Sequence, residues 1–375
     1  MEEHGSDDDG APPWLEVSGL RRRIGRETYF LRRAVRNPDL LRRRARRAAS
    51  PKVTFVERNH DPDRTLLVVG SARSGTTWLA EVLSEALRCR LVFEPLRTES
   101  VPLARPVRFG QFLDPGSGAD PVIARVLDRI MAGRVRSRWT DDYNTVRFPD
   151  CRVVKEIRAT NLLPWIVGRY PRTPVVYLLR HPVPSAWSVS QLGWPDKLRQ
   201  FTEQPALMEG PLAPFQTLIR ETVGSIDPFR RLVLRWCLEN VVPVQMLNAG
   251  RSHVVFYEQL VDDPRGELAK LDAYIRGFNP GPWDLKLGSV DNLDKPSHTN
   301  YRQTDVSSGP GRLDNWRAEV PASQVEAALA LVKGFGLDRI YGESSRPLIG
   351  PEAVLLGGAA PTAPTTGTDS DTGGT

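Results

Sequence analysis

The stretch Thr65–Leu79, TLLVVGSARSGTTWL, constrains the fold more than any other part of the sequence. The continuous apolar run that ends at Gly70 is typical of a strand buried on both faces in a parallel sheet. A Gly/Ser turn follows and leads into TTWLAEVLSEALRC, where apolar residues recur at helical spacing. The stretch therefore predicts a strand, a tight turn and the start of a helix.

Further apolar runs along the chain are also typical of buried strands. They are Arg152–Ile157, Thr173–Arg180 and His253–Leu260. Segments with helical character, Asn161–Tyr170 and Asp263–Ile275, lie between or after these runs. Strands that alternate with helices predict an α/β fold with a parallel sheet, like that of P-loop NTPases, flanked by helices.

The composition divides the chain into three regions. Residues 1–50 start with acidic residues and continue with twelve arginines between Arg21 and Arg47. They predict a flexible N-terminus and an Arg-rich helical arm that either packs on the domain or contacts an anionic surface peripherally. Residues 51–343 form the main domain, in which segments 95–122 and 193–216 are candidate substrate loops. The Gly, Ala, Pro and Thr content of residues 344–375 predicts a disordered tail.

The three cysteines and the hydropathy pattern bear on the compartment. An odd cysteine count without C-x-x-C predicts neither a disulfide framework nor a zinc site, and favours a reducing compartment. No run of about 18 apolar residues predicts a transmembrane helix, and no secretory signal pattern is recognisable. We therefore expect a cytoplasmic protein with no metal and no nucleic-acid partner, and with the arm as a candidate peripheral membrane contact.

The turn after Gly70 has the chemistry of an anion site. The unpaired amides and the positive dipole end of a helix favour an anion, and Gly75 lets the backbone approach it. The spacing matches G-x-x-x-x-G-K-[ST], but Thr76 stands where the P-loop lysine belongs, and the nearest cation is Arg73. A Walker-B aspartate is also missing after the later apolar runs. The pattern predicts phosphate binding and disfavours ordinary ATP or GTP hydrolysis.

A second basic motif, VVYLLRHPVPSAWSVS, places Arg180 at the end of a predicted strand and Ser188 eight residues later. Ligands bind at the carboxyl ends of strands in open α/β sheets. A guanidinium and a hydroxyl at that edge can hold a phosphate group. Together with the first turn, this motif predicts a nucleotide that carries phosphates at two separate places.

These motifs resemble those of sulfotransferases. GSARSGTTWL is similar to their 5′-phosphosulfate loop, and VVYLLRHPVPSAWSVS resembles their 3′-phosphate motif. VVFYEQLVDDP and GRLDNWRAEV resemble later segments of the family, and LVFEPL resembles the F-E-P-L of carbohydrate sulfotransferases. The resemblance covers about residues 63–343. It implies 3′-phosphoadenosine 5′-phosphosulfate as co-substrate and no metal.

The resemblance also implies roles for individual residues. Arg73 would contact the phosphosulfate, Arg180 and Ser188 would hold the 3′-phosphate, and Trp78 and Tyr257 would lie by the adenine. Trp78 and Tyr257 have an alternative role as buried residues of the helix and the strand. Arg312 is a candidate for a further 3′-phosphate contact, although the family's Arg-Lys-Gly triplet is not present. The 5′-phosphate would be held by four consecutive residues: Ser74, Gly75, Thr76 and Thr77.

Sulfuryl transfer also needs a base for the acceptor hydroxyl. Relatives that act on phenols and steroids place a histidine after the strand occupied here by RVVKEIRAT, and this sequence has none there. Glutamate is the base in several carbohydrate-type relatives. Glu94, after the run RLVF, is the first candidate and Glu156 the second; either could instead belong to a structural ion pair. Lys155 matches a lysine that assists transfer in relatives.

The sequence thus favours a sulfotransferase that acts on a hydroxyl or amine of a carbohydrate or glycoconjugate. Two alternatives stay open at this stage. One is a nucleoside or small-molecule kinase with an unusual P-loop. The other is a non-enzymatic module in which the Arg-rich arm binds nucleotides or polyanions.

Overall fold

The computed structural model describes residues 55–116, 118, 120–248, 250–278, 283–286 and 313–355. Contacts divide the chain into Met1–Lys52 and Val53–Thr375, and every described residue belongs to the second unit. The Arg-rich arm, Arg312 and residues 356–375 lie outside the described residues.

A parallel sheet organises the described part of the chain. Its strands, in chain order, are β1 (Thr65–Gly70), β2 (Arg90–Phe93), β3 (Arg152–Glu156), β4 (Val175–Leu179) and β5 (His253–Phe256). Their spatial order is β2-β3-β1-β4-β5, and every neighbouring pair is parallel. The α/β fold predicted from the alternating pattern is confirmed.

Helices connect the strands and cover both faces of the sheet. The longer ones are α1 (Thr76–Ala86), α2 (Pro121–Met131), α3 (Leu163–Arg169), α4 (Pro182–Ser190), α7 (Gln216–Val223), α8 (Pro228–Met246), α10 (Pro264–Phe278) and α11 (Ala322–Gly334). Shorter ones are α5 (Arg199–Thr202), α6 (Pro205–Met208) and α9 (Tyr257–Asp262). Single 3₁₀ turns occupy Pro62–Arg64, Pro102–Ala104, Thr160–Leu162, Ala213–Phe215, Asn315–Ala318 and Pro351–Ala353.

The sheet separates two apolar layers because successive side chains of a strand point to opposite faces. Leu66 and Val68 of β1 pack with α1 and α10, whereas Leu67 and Val69 belong to the larger cluster that contains α8. Every residue of β1 is buried. The unbroken apolar run that predicted this strand follows from burial on both faces.

Three local expectations differ from the structure. The strand predicted over His253–Leu260 ends at Phe256, and Tyr257 begins helix α9. No element was predicted for 228–246, where α8 forms; it is buried around most of its circumference and so lacks a one-sided apolar pattern. Residues 344–355 are not a disordered tail: Val354 and Leu355 are buried in the core cluster.

A disulfide joins Cys89 and Cys151, although the odd cysteine count predicted neither a disulfide framework nor a zinc site. Each cysteine directly precedes a strand, and the register of β2 on β3 pairs Arg90 with Arg152. The strand pairing therefore brings two residues 62 positions apart side by side. The cysteine count no longer supports a reducing compartment, and the cytoplasm stays a prediction without that argument.

We expect this disulfide to stabilise the fold, since a crosslink over 62 residues restricts the unfolded chain. Its loss in Cys89→Ala/Cys151→Ala should lower the free energy of unfolding by about 2–4 kcal/mol. Urea unfolding with and without dithiothreitol measures this. The reductant should destabilise the wild type and leave the double variant unchanged. Equal stability of the wild type under both conditions would contradict the prediction.

Membrane-spanning helices and clusters of metal ligands are both absent from the described residues. No helix there combines the length and the apolar character that crossing a bilayer requires. Within the same residues, no group of three or more His, Cys, Asp or Glu side chains could hold a metal ion.

Candidate active site

The carboxyl ends of the strands meet at one edge of the sheet and carry the predicted site residues. Arg73 follows β1, Glu94 follows β2, Lys155 lies at the end of β3, Arg180 follows β4 and Tyr257 follows β5. This is the edge at which open α/β sheets bind ligands. The parallel topology thus gathers residues that lie between positions 73 and 257 of the sequence.

The turn after β1 has an unusual backbone conformation. Arg73 and Gly75 have φ angles of 70° and 98°. For arginine this region is sparsely populated, and such strain occurs mainly at functional sites. Gly75 is required here because a Cβ atom at this position would lie 2.6 Å from Cδ2 of Tyr257.

The first turn of α1 directly follows this strained turn. Gly75 is the N-cap and has no side chain that could accept a hydrogen bond from the first-turn amides, so among the described residues this helix start lacks a side-chain cap. Thr76 and Thr77 are buried in that turn, and Trp78 is half-buried against the core layer of α1. Ser74 donates its hydroxyl to the carbonyl of Ser71 at 2.7 Å, which closes the turn. The amides of α1 are therefore available to an anion.

The second basic motif contacts the first directly. Arg73 Nε donates to Ser188 Oγ at 3.0 Å, and Arg180 Nη1 donates to the carbonyl of Arg73 at 2.7 Å. The Arg180 guanidinium also lies 4.3 Å from the ring centroid of Tyr257. Sequence reasoning placed these four residues around one nucleotide, and the structure brings them into one contact group.

A second charged cluster lies at the ends of β2 and β3. Lys155 Nζ donates to Glu94 Oε1 at 2.6 Å, and Arg158 Nη1 donates to Glu94 Oε2 at 2.9 Å. Burial alone would raise the pKa of the Glu94 carboxyl, but the charges and hydrogen bonds of Lys155 and Arg158 outweigh it and lower the pKa to about 2. Glu94 has a φ of 43°, so it is a second strained residue at this edge.

Comparison with known proteins identifies the family. The model of the "Sulfotransferase family" matches residues 65–276, which is more than half of the chain. This chain belongs to the sulfotransferase family. The match runs from β1 into α10. It includes the contact group around Arg73 and Arg180 and the charged cluster around Glu94.

Two solved structures are similar to this sulfotransferase. The sulfotransferase domain from the Synechococcus PCC 7002 olefin synthase is 18% identical, with 75% of this chain and 96% of that chain covered and a TM-score of 0.41. The sulfotransferase domain from the curacin biosynthetic pathway is 14% identical, with 72% and 97% covered and a TM-score of 0.37. No curated protein matches the sequence.

Glu156 of this sulfotransferase occupies a different environment from Glu94. Its carboxylate accepts hydrogen bonds from the amides of Leu96, Ile157 and Arg158 at 2.8–3.0 Å. The side chain is almost fully buried, and burial raises the pKa of its carboxyl group. Because backbone donors surround it, Glu156 fixes the loop after Glu94 against the end of β3.

The turn after β1 is also held in place by a residue of α8. Asn240 of α8 donates through Nδ2 to Ser71 Oγ at 2.8 Å and accepts at Oδ1 from the hydroxyl of Tyr177 at 2.6 Å. All three residues are buried. Sequence reasoning did not find Asn240, because an asparagine in a helix 169 positions after Ser71 carries no local signal. Arg158 was also missed, although a basic residue just beyond a strand end was a usable signal.

His181, next to Arg180, is a structural residue. Its Nδ1 accepts from the amide of Val183 at 3.3 Å and caps α4, while Nε2 lies 3.0 Å from the carbonyl of Gly342. A carbonyl only accepts, so Nε2 carries the proton. The ring stacks on Trp316 with a centroid distance of 5.3 Å. Burial lowers the pKa of His181 to about 4.

We expect His181 to make stability depend on pH. Its unfolded pKa is about 6.5, so below that pH the unfolded chain binds a proton that the folded state excludes. The free energy of unfolding should fall by about 3 kcal/mol as the pH drops from above 6.5 to below 4. His181→Asn keeps a capping acceptor but does not titrate. Urea unfolding at several pH values should show a shallower pH dependence for the variant; parallel curves would contradict this role.

Proposed function

We propose that this sulfotransferase takes a sulfuryl group from 3′-phosphoadenosine 5′-phosphosulfate and transfers it to a hydroxyl or amine, most specifically of a carbohydrate or glycoconjugate. The observation that carries the proposal is the contact between two anion-binding elements. Arg73 of the turn after β1 bonds to Ser188, and Arg180 holds the backbone of Arg73. Two linked phosphate sites fit a nucleotide with separate 3′ and 5′ groups.

The chemistry of the residues present fits this donor. The amides at Gly75, Thr76 and Thr77 suit the 5′-phosphate, which needs no Walker lysine because the donor has no γ-phosphate. Arg73 reaches the sulfuryl side and balances negative charge on the leaving phosphate. Ser74 contributes by closing the turn through its bond to Ser71.

We assign the other end of the nucleotide to the β4 edge. Arg180 and Ser188 bind the 3′-phosphate. The Arg180 guanidinium donates two parallel charged hydrogen bonds, and the Ser188 hydroxyl donates one more. Tyr257 lies against the Arg180 guanidinium and is half-buried, so its ring is available to the adenine. Trp78 is the second adenine contact. Arg312 is proposed as a further 3′-phosphate contact from its sequence position alone.

For the acceptor side we assign Glu94 as the general base. It follows β2 at the ligand edge, and its oxygens bond to Lys155 and Arg158 rather than to backbone. Lys155 neutralises charge on the transferring group. Glu156 is assigned to positioning, because backbone amides occupy its oxygens. The carbohydrate acceptor is supported by the resemblance of LVFEPL to the carbohydrate-type enzymes.

Calorimetry with 3′-phosphoadenosine 5′-phosphate and with ATP–Mg²⁺ tests the donor assignment. We expect tight binding of the bisphosphate and weak binding of ATP, since the site offers two phosphate positions and lacks the lysine for a γ-phosphate. A preference for ATP–Mg²⁺ would overturn the assignment and favour a kinase. A screen of candidate acceptors with labelled sulfate then identifies the acceptor class.

A further inference from the structure

The ion pairs of Glu94 create a conflict with its role as a base. Lys155 and Arg158 each bond to one carboxylate oxygen, at 2.6 and 2.9 Å, and Glu94 and Lys155 are buried. A base works best when its pKa lies near the working pH. The two cations hold the pKa of Glu94 at about 2, against the effect of burial. In this arrangement Glu94 is a stable anion and a poor proton acceptor.

The two cations are not equivalent. Arg158 Nη1 also lies 3.3 Å from Glu156 Oε1, so a second carboxylate helps to retain it. Lys155 bonds to Glu94 at a single oxygen and lies 4.7 Å from the ring centroid of Phe93. Lys155 is therefore the cation that can leave Glu94 at the lower electrostatic cost.

The sheet order also places Lys155 between the two halves of the site. β3 lies between β2, which leads to Glu94, and β1, which leads to the anion-binding turn. In register, Lys155 pairs with Phe93 on one side and with Val68 on the other. Val68 and Val153 belong to the apolar layer that contains α1. Val153 lies two residues before Lys155 in β3, and residues two apart in a strand share a face. Lys155 is therefore on the face of the sheet where α1 begins.

We propose that donor binding activates the base: the sulfuryl group of the bound donor takes Lys155 away from Glu94, and only then does Glu94 accept the acceptor's proton. This inference rests on the proposed function. It makes Lys155 a switch between two anions, the carboxylate of Glu94 and the sulfuryl oxygens. The acceptor hydroxyl is consequently activated only when a donor is present to receive its attack.

The transfer step balances as follows. The acceptor oxygen forms a bond to sulfur, and its proton moves to a carboxylate oxygen of Glu94. The bond between sulfur and the bridging phosphate oxygen breaks, and its electron pair stays on the departing 3′-phosphoadenosine 5′-phosphate. Lys155, now on the sulfuryl side, neutralises the charge of the transferring group, while Arg158 continues to orient Glu94.

The charged groups around Glu94 determine what a titration of this residue reports. Lys155 and Glu156 come from β3, Arg158 comes from the segment after β3, and Arg97 and Glu99 come from the loop that follows Glu94. Arg97 stacks on Trp139 at 3.9 Å, and its amide donates to the carbonyl of Glu94. Arg158 and Glu156 have further partners, so the departure of Lys155 is the change expected to dominate.

NMR titration of protein labelled with ¹³C at glutamate Cδ tests the inference, with the Glu94 signal assigned from its loss in Glu94→Gln or Glu94→Asp. Without ligand, the signal should stay at its ionised position down to pH 4.5. With 3′-phosphoadenosine 5′-phosphosulfate, its midpoint should rise by about 1–3 pH units. The bisphosphate product, which lacks the sulfuryl group, should produce a smaller rise.

Two variants sharpen the test. Lys155→Met should raise the Glu94 midpoint without any donor, whereas Glu326→Gln, at an exposed acid of α11, should leave the titration as in the wild type. A Glu94 midpoint that is the same with and without bound donor would overturn the inference and leave the donor assignment intact. Failure of the donor to bind in calorimetry would instead overturn the proposed function, and the inference with it.

Discussion

Glu94→Gln is expected to bind 3′-phosphoadenosine 5′-phosphate as the wild type does and to lose sulfuryl transfer by about 10²–10⁴-fold. The amide cannot accept the acceptor's proton, but it has nearly the same shape and still offers an oxygen to Lys155, which lies 2.6 Å from the carboxylate. Labelled-sulfate transfer to an acceptor found in the screen measures the loss, and calorimetry with 3′-phosphoadenosine 5′-phosphate measures donor binding.

Glu326→Gln is the matched control for this variant. Glu326 lies on α11 and is exposed, so the same change of charge is made outside the charged cluster around Glu94. Its substitution should leave transfer near the wild-type rate. Transfer by Glu94→Gln at the wild-type rate would show that another group takes the proton, and the assignment of Glu94 would then be wrong.

Arg180→Ala is expected to weaken binding of 3′-phosphoadenosine 5′-phosphate by about 30-fold or more. Truncating one partner of a buried charged hydrogen bond costs about 2–5 kcal/mol, and the lower end applies here because Arg180 is half-buried. The loss should exceed that of one phosphate contact, because Arg180 also donates to the carbonyl of Arg73 and lies against Tyr257. Arg180→Lys keeps the charge but not the planar fork, so its affinity should be intermediate.

Calorimetry measures the affinity of both Arg180 variants for 3′-phosphoadenosine 5′-phosphate, with Arg199→Ala as the control. Arg199 has a side chain that is 87% exposed and pairs with Glu203 on the surface, so its loss should leave the affinity unchanged. An unchanged affinity in Arg180→Ala would contradict the placement of the 3′-phosphate. Circular dichroism of each variant checks that the fold is retained, since Trp236 Nε1 also bonds to the carbonyl of residue 180.

Much of the fold follows from local sequence patterns. Burial on both faces makes β1 a continuous apolar run, and the turn at Gly75 and the helix after it have local signatures. Arg73, Arg180 and Ser188 could be placed near one another because parallel strands end at a common edge. These predictions needed only the order of elements along the chain.

Other features depend on which strands become neighbours. The sequence did not reveal that β3 lies between β1 and β2, and this order creates both the Cys89–Cys151 disulfide and the bonds of Lys155 and Arg158 to Glu94. Residues about 60 positions apart carry no local mark of their pairing. Likewise, the Gly and Pro content of the C-terminal segment did not predict that Val354 and Leu355 pack in the core.

The sequence by itself therefore determined the strand–turn–helix unit, the α/β class and the two basic motifs, since each depends on the periodicity or chemistry of a short segment. Only the tertiary structure decided how the two candidate carboxylates differ. Glu156 is enclosed by backbone amides with Arg158 as its one described cation, whereas Glu94 is held by both Lys155 and Arg158. The physical reason is that the environment of a buried charge is set by the strands packed around it, and strand order is a long-range property of the chain.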